Sequence, residues 1–152
     1  MRALVQRVSE ASVEVEGSVV GAVEQGLLVL LAVEKGDQEK QLEGMIRKVA
    51  RLRIFADEAG KMNLSVKDIN GSVLVVSQFT LAADMRKGYR PSFGNAEQPD
   101  KAEQMYLAYC ERLEKDEGVR VARGVFAADM QVKLVNDGPV SIWLDLPAES
   151  QG

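Results

Sequence analysis

Histidine is missing from this 152-residue chain altogether. Its absence excludes Ser–His and Cys–His catalysis and any His-ligated metal site. Cysteine occurs once, at Cys110, so no disulfide can form within the chain, and a cytosolic setting fits. Positive charge is not in excess: 19 Lys and Arg against 23 Asp and Glu leave a net charge of −4. That argues against a general nucleic-acid coating protein and leaves room for a local basic patch, which is all that contact with one RNA end needs. The longest apolar stretch, Gly26 to Val33, is far too short to cross a bilayer. Gln6 and Arg7 arrive before a signal-peptide core could form. Repeats, low-complexity tracts and linkers are also missing. One cytoplasmic domain spanning 1–152, with no membrane partner, is the expectation.

What is present centres on Val73 to Leu81. Four apolar residues, three of them Val, run into Ser77, Gln78 and Thr80. An unbroken apolar run rich in Val suits a strand buried on both faces. Gly71 precedes it as a turn residue. The polar residues then fall at the strand's far end, as a site floor or as ordinary strand-end residues.

From the start, Arg2 to Val8 and Ala11 to Glu16 read as strand. Gly17-Ser18 turns the chain, Ser18 to Val23 returns, and Leu27 to Val33 is a buried strand, together an antiparallel meander. Asp37 is a plausible N-cap for a helix whose apolar face is Leu42, Met45, Ile46 and Val49. Arg47, Lys48 and Arg51 read better as a solvated face than as a phosphate-facing one. Leu52 to Ala56 and Met62 to Val66 are extended. A long loop, Ala82 to Gln98, carries Arg86, Lys87 and Arg90, the best local candidates for phosphate contact. Pro99 opens a second helix with Tyr106, Tyr109 and Leu113 in its core stripe, and Gly118 ends it. Val119 to Val125 is extended. Gln131 to Val135 and Val140 to Leu146 form a final hairpin around Gly138-Pro139, and the tail from Pro147 is frayed. Two helices against many strands predict an α+β fold: a mostly antiparallel sheet, or partly closed barrel, with both helices packed on it.

Ser77-Gln-Phe-Thr80 together with Gly138-Pro139 resembles the signature of the D-aminoacyl-tRNA deacylases. Arg2 to Val8, Gly26 to Leu31, Lys61 to Val66, Gly88 to Phe93 and Phe126 to Val132 resemble that family in the same order, so the likeness spans nearly the whole chain. It implies a homodimer with active sites at the subunit interface. It also implies an enzyme that hydrolyses the ester of D-aminoacyl-tRNA and of mischarged glycyl-tRNA, with no cofactor, no metal and no DNA partner. Two other readings stay open: a non-catalytic tRNA-end-binding module on the same fold, and a related editing enzyme that removes L-alanine from a wrong tRNA through a trans Gly-Pro.

Ester hydrolysis needs a positioned nucleophile and donors for the developing oxyanion. Thr80 and Ser77 have no His to activate them, and Asp84 is near only in sequence. Thr80 is therefore better read as a positioning or oxyanion residue, with backbone N–H groups of Phe79 and Thr80 holding a carbonyl oxygen or a water. The resemblance implies that the substrate's ribose 2′-hydroxyl activates the attacking water, and that Gln78 and Phe79 line the site. It implies a cis Gly138-Pro139 bond that enters the partner's site and rejects L side chains, with Arg7 orienting the pair's carbonyls. It implies that Phe126, Ala127 and Met130 enclose the terminal adenine; core packing is the alternative for Phe126 and Met130. Ser141 stands where most members carry Thr.

Overall fold

The computed structural model describes residues 1–149. It begins with three strands, β1 (Arg2–Val15), β2 (Ser18–Val23) and β3 (Gly26–Ala32), and a helix, α1 (Glu39–Arg51). Two short strands follow, β4 (Phe55–Ala56) and β5 (Met62–Leu64), then β6 (Ser72–Ser77) and one turn of 3-10 helix at Phe79–Ala82. The second helix α2 (Pro99–Glu117), β7 (Arg120–Arg123) and the long β8 (Gln131–Asp145) complete it.

The two apolar runs become central strands. β3 and β6 lie side by side and parallel, from Gly26 opposite Ser72 to Leu31 opposite Ser77, and β7 pairs parallel to β6. Parallel neighbours need long crossovers, and α1 and α2 lie within the two connections. Alternate residues explain the unbroken apolar pattern. Leu27, Val29, Leu31, Val73 and Val75 pack beneath Met45, Ile46 and Val49 of α1 and Tyr106, Tyr109 and Leu113 of α2. Leu28, Leu74 and Val76 face the other way and meet Val8, Val13 and Val23 inside the curled sheet. The outer strands of the order β2-β1-β3-β6-β7 come together at Gly21, where a Cβ would lie 2.5 Å from the Arg123 carbonyl oxygen. Only glycine permits that approach, and it nearly closes the barrel.

The α+β barrel with two helices is as predicted, but five local expectations are corrected. The first three strands are not a meander. β1 is one strand of 14 residues, pairing with β3 through Arg2–Val8 and with β2 through Ala11–Val15, so β3 returns to β1 rather than to β2. Asp37 does not cap α1. The helix starts after Gln38, whose N–H donates to Gln41 Oε1 at 2.8 Å. The Asp37 carboxylate is fully buried, and both its oxygens are engaged away from α1: Oδ1 takes the Met1 ammonium at 2.7 Å and Oδ2 the Glu34 N–H at 2.8 Å. Leu146 donates its N–H to the Met1 carbonyl, and Gln41 reaches the Pro147 carbonyl, so the described part of the tail is docked rather than frayed. The final hairpin is the fourth correction. β8 is a single strand running along β1 from Gln131 opposite Glu14 to Asp145 opposite Arg2. Its inward alternation resumes after residues 137–140, which bulge out opposite Arg7 between the pairs Val8–Asn136 and Gln6–Ser141. The strand predicted over Leu52 to Ala56 shrinks to Phe55–Ala56, paired with β5 in a separate small sheet.

Candidate active site

Where β6 runs out, the chain tightens. Gln78 donates its N–H to the Leu31 carbonyl at 2.8 Å, and the 3-10 turn follows, so the strand predicted to reach Leu81 stops at Ser77. The first N–H groups of such a turn, those of Phe79 and Thr80, have no carbonyl within it to bond. Phe79 lines a cavity of about 490 Å3. Its floor is Val76, Ser77, Gln78 and Phe79, and one wall is Phe126, Ala127, Ala128, Met130 and Val132. The opposite side is Val33, Ala96, Glu97 and the first turn of α2 at Pro99 and Ala102.

Six residues singled out from sequence thus share one cavity: Ser77, Gln78, Phe79, Phe126, Ala127 and Met130. Thr80 is exposed on the 3-10 turn, off the lining, and its hydroxyl accepts from the Gln78 side-chain amide. Phe79 is 57% exposed and meets Phe93 edge to face at 5.1 Å. Phe126 and Met130 pack on the core and also line the cavity. Phe126 leans on Tyr106 at 6.1 Å, and Met130 packs on the barrel interior, yet each shows a face to the cavity. Ala127 adopts φ 64°, a left-handed conformation that costs a non-glycine residue roughly 1–2 kcal/mol.

The Asp84 carboxylate is engaged by a cation two residues on. It is forked by Arg86, with Nη2–Oδ2 at 2.7 Å and Nε–Oδ1 at 2.9 Å, which holds its pKa down to about 2. Arg86, Lys87 and Arg90 sit outside the cavity. Asp84 and Ser92 exchange backbone hydrogen bonds of 2.7 and 3.0 Å and pinch off the loop between them. Arg86 is thereby tied down, Lys87 and Arg90 are exposed, and Tyr89 between them is wholly exposed.

Gly138-Pro139 is a cis peptide and lies on the surface, away from this chain's own cavity lining. Its surroundings hold it firmly. Arg7 donates through Nε to the Asp137 carbonyl at 3.0 Å and through Nη1 to the Ile54 carbonyl at 2.7 Å. The carbonyl it takes is therefore one residue ahead of the pair. Asn136 accepts the Val140 N–H at 3.1 Å and donates to Ser141 Oγ at 3.2 Å, and Gln6 also donates to that hydroxyl. Gly138 has φ 132°, and a Cβ there would lie 2.9 Å from Arg7 Nη2.

Sequence reasoning missed Glu97. Its carboxylate caps the Gln98 N–H at 2.8 Å and pairs with Lys101 at 3.3 Å. The backbone bond lowers its pKa most, against burial. The Glu97–Lys101 spacing of four was the available signal. Among the described residues no group of three or more Cys, Asp and Glu side chains is placed to hold a metal ion, and no helix is long and apolar enough to cross a membrane.

A family model described as D-Tyr-tRNA(Tyr) deacylase matches residues 4–145. The chain belongs to the D-aminoacyl-tRNA deacylase family. As a member it is an enzyme, a hydrolase of an ester bond. A D-aminoacyl-tRNA deacylase of Magnetococcus marinus is 80% identical over 149 residues, covering 98% of this chain and 99% of its own. One from Geobacter metallireducens is 53% identical over the full length of both. Among solved structures, a c-Myc DNA Unwinding Element Binding Protein superposes with a TM-score of 0.91 at 44% identity, over 97% of this deacylase chain and 100% of its own. A probable eukaryotic D-amino acid tRNA deacylase shares the fold, with a TM-score of 0.84 at 16% identity over 95% and 98% of the two chains.

Proposed function

We propose that the cavity at the end of β6 takes the aminoacylated 3′ end of a tRNA and cleaves the ester of D-aminoacyl-tRNA and glycyl-tRNA. The observation that carries this reading is the 3-10 turn at Phe79–Ala82, whose first two amides have no partner within the turn and whose first residue lines a largely apolar cavity. Those amides bind the carbonyl oxygen as charge develops on it, the arrangement acyl transfer needs. Thr80, held by Gln78, positions the turn and a water rather than attacking. With no histidine in the chain and Asp84 engaged by Arg86, the attacking water is activated by the substrate's own 2′-hydroxyl. Phe126, Ala127 and Met130 enclose the terminal adenine, an apolar slot suited to a base's π-face. Lys87 and Arg90 meet phosphates further along the acceptor strand.

Handedness is read by a second subunit. Gly138-Pro139 projects from one protomer into the partner's cavity, where rigid main chain fills the volume an L side chain would need. Glycine has no side chain to exclude and is cleaved. Arg7, Asn136 and Ser141 support this reading because their hydrogen bonds tie down the residues on either side of the pair.

The test is ester loss from D-tyrosyl-, L-tyrosyl-, L-alanyl- and glycyl-tRNA. The expected result is cleavage of the D-tyrosyl and glycyl esters with both L-esters kept. A D-tyrosyl-tRNA whose terminal ribose lacks the 2′-hydroxyl should bind and resist; normal turnover of it would remove the substrate-assisted step.

A further inference from the structure

Arg2 contacts the 3-10 turn through Leu81, and neither residue lines the cavity. Arg2 Nη1 donates to the Leu81 carbonyl at 3.0 Å. Leu81 is in the last half of the turn whose first half presents Phe79 and Thr80, and the last carbonyls of a helical turn have no partner within it. The guanidinium is itself fixed. Its Nε, shielded from solvent, lies 3.3 Å from a Glu34 carboxylate oxygen and 3.8 Å from Asp145, without hydrogen-bond geometry to either. Its plane approaches the Trp143 ring at 5.9 Å. The Glu34 backbone forms an isolated β-bridge with Ala96, which lines the cavity beside Glu97. One cation therefore joins the start of β1, the end of β8, the segment after β3 and the 3-10 turn.

We infer that Arg2 is a positioning residue for deacylation: through the Leu81 carbonyl it sets the orientation of the turn that offers the Phe79 and Thr80 amides to the ester. This rests on the reading of that turn as the oxyanion site. A brace at one end of a four-residue helix governs the direction of the N–H groups at the other, because the turn is too short to bend between them. Oxyanion donors act only when aimed at the charge that develops, so their misalignment lowers the chemical step and leaves ground-state binding largely alone.

Arg2→Gln and Arg2→Lys, measured on D-tyrosyl-tRNA, test this. Arg2→Gln removes the cation and the reach; its kcat is expected to fall roughly tenfold to a hundredfold with KM within about twofold of wild type. Arg2→Lys keeps one donor for the Leu81 carbonyl and should sit a few-fold below wild type, again at constant KM. That graded kcat loss supports the inference, and if Arg2→Gln does not fold, the Arg2→Lys value decides alone. A wild-type kcat in either folded variant, or KM and melting temperature degrading in step with kcat, overturns it and leaves Arg2 a structural brace. A wild-type protein that leaves D-tyrosyl-tRNA intact is a different failure, since it removes the oxyanion reading itself.

Discussion

Replacing Gly138 by alanine tests the proposed chirality wall most directly. The new Cβ would lie 2.8 Å from Val140 Cγ2 and 2.9 Å from Arg7 Nη2, at a residue with φ 132°. Backbone strain for an L residue there costs about 1–3 kcal/mol. Arg7 cannot retreat freely, because it is donating to Ile54 and Asp137; giving up one such charged bond costs about 1.5–3 kcal/mol. With partial relaxation the total is about 2–4 kcal/mol, which in a domain of this length lowers Tm by roughly 5–15 °C. The matched control is Gly118→Ala at the end of α2, where φ is 69° and no atom lies within 4 Å of the added Cβ. Only the strain of about 1–2 kcal/mol applies there. Both variants should be melted by calorimetry and assayed on D- and L-tyrosyl-tRNA. The ratio of the two rates is insensitive to how much protein is folded, since both substrates share it. Gly138→Ala should narrow that ratio by at least about tenfold, or 1.4 kcal/mol, while Gly118→Ala leaves it unchanged. A Gly138→Ala protein that melts low yet rejects L-esters as well as wild type would refute the wall.

Three further outcomes are expected. Lys87→Ala with Arg90→Ala should weaken tRNA binding across sequences and flatten its dependence on log salt by about one to two units, measured by filter binding; an unchanged slope would take the loop out of the interface. Tyr106→Phe strips the phenol that donates to the buried Val75 carbonyl at 2.9 Å, and chemical denaturation should show about 1–2 kcal/mol lost. Glu117 is nearly buried; burial raises its pKa, but hydrogen bonds from Lys67 and Arg51 outweigh that and the net shift is downward. A carboxylate with a lowered folded pKa contributes stability above its unfolded value and loses it as pH falls through the folded one. Because both cations are well exposed, Glu117→Gln should cost only about 1 kcal/mol at pH 7. The gap between the two melting curves should close as pH drops below about 4.5; a gap that persists to pH 3 would contradict the ion-pair account.

Patterns that depend on neighbours in sequence were readable, and those that depend on distant partners were not. The runs in β3 and β6 announced strands buried on both sides, and the stripe of Tyr106, Tyr109 and Leu113 announced a packed helix. Ser77, Gln78 and Phe79 could be placed at a strand end because polarity changes there within two residues. Asp37 looked like a cap because its neighbours allow one, and only the Met1 ammonium, brought in through tertiary structure, claimed it instead. Asp137-Gly138 looked like a hairpin turn because nothing local reveals that β1 continues past it on both sides and holds the strand to its register. Arg2 carried no local signal at all, since its meaning lies in a carbonyl 79 residues away.

The pairing of β1 with β8 has a consequence for how the chain matures. Arg2 sits opposite Asp145, so the strand that binds three others has one whole edge unsatisfied until the final strand arrives. During synthesis β2 and β3 can zip onto β1 early, but the last hydrogen-bonded seam closes only after some 140 residues have emerged. Contacts of such sequence separation are slow to form. Until then the open edge of β1 is the part of the nascent molecule most available to a chaperone, or to the same edge of a neighbouring chain.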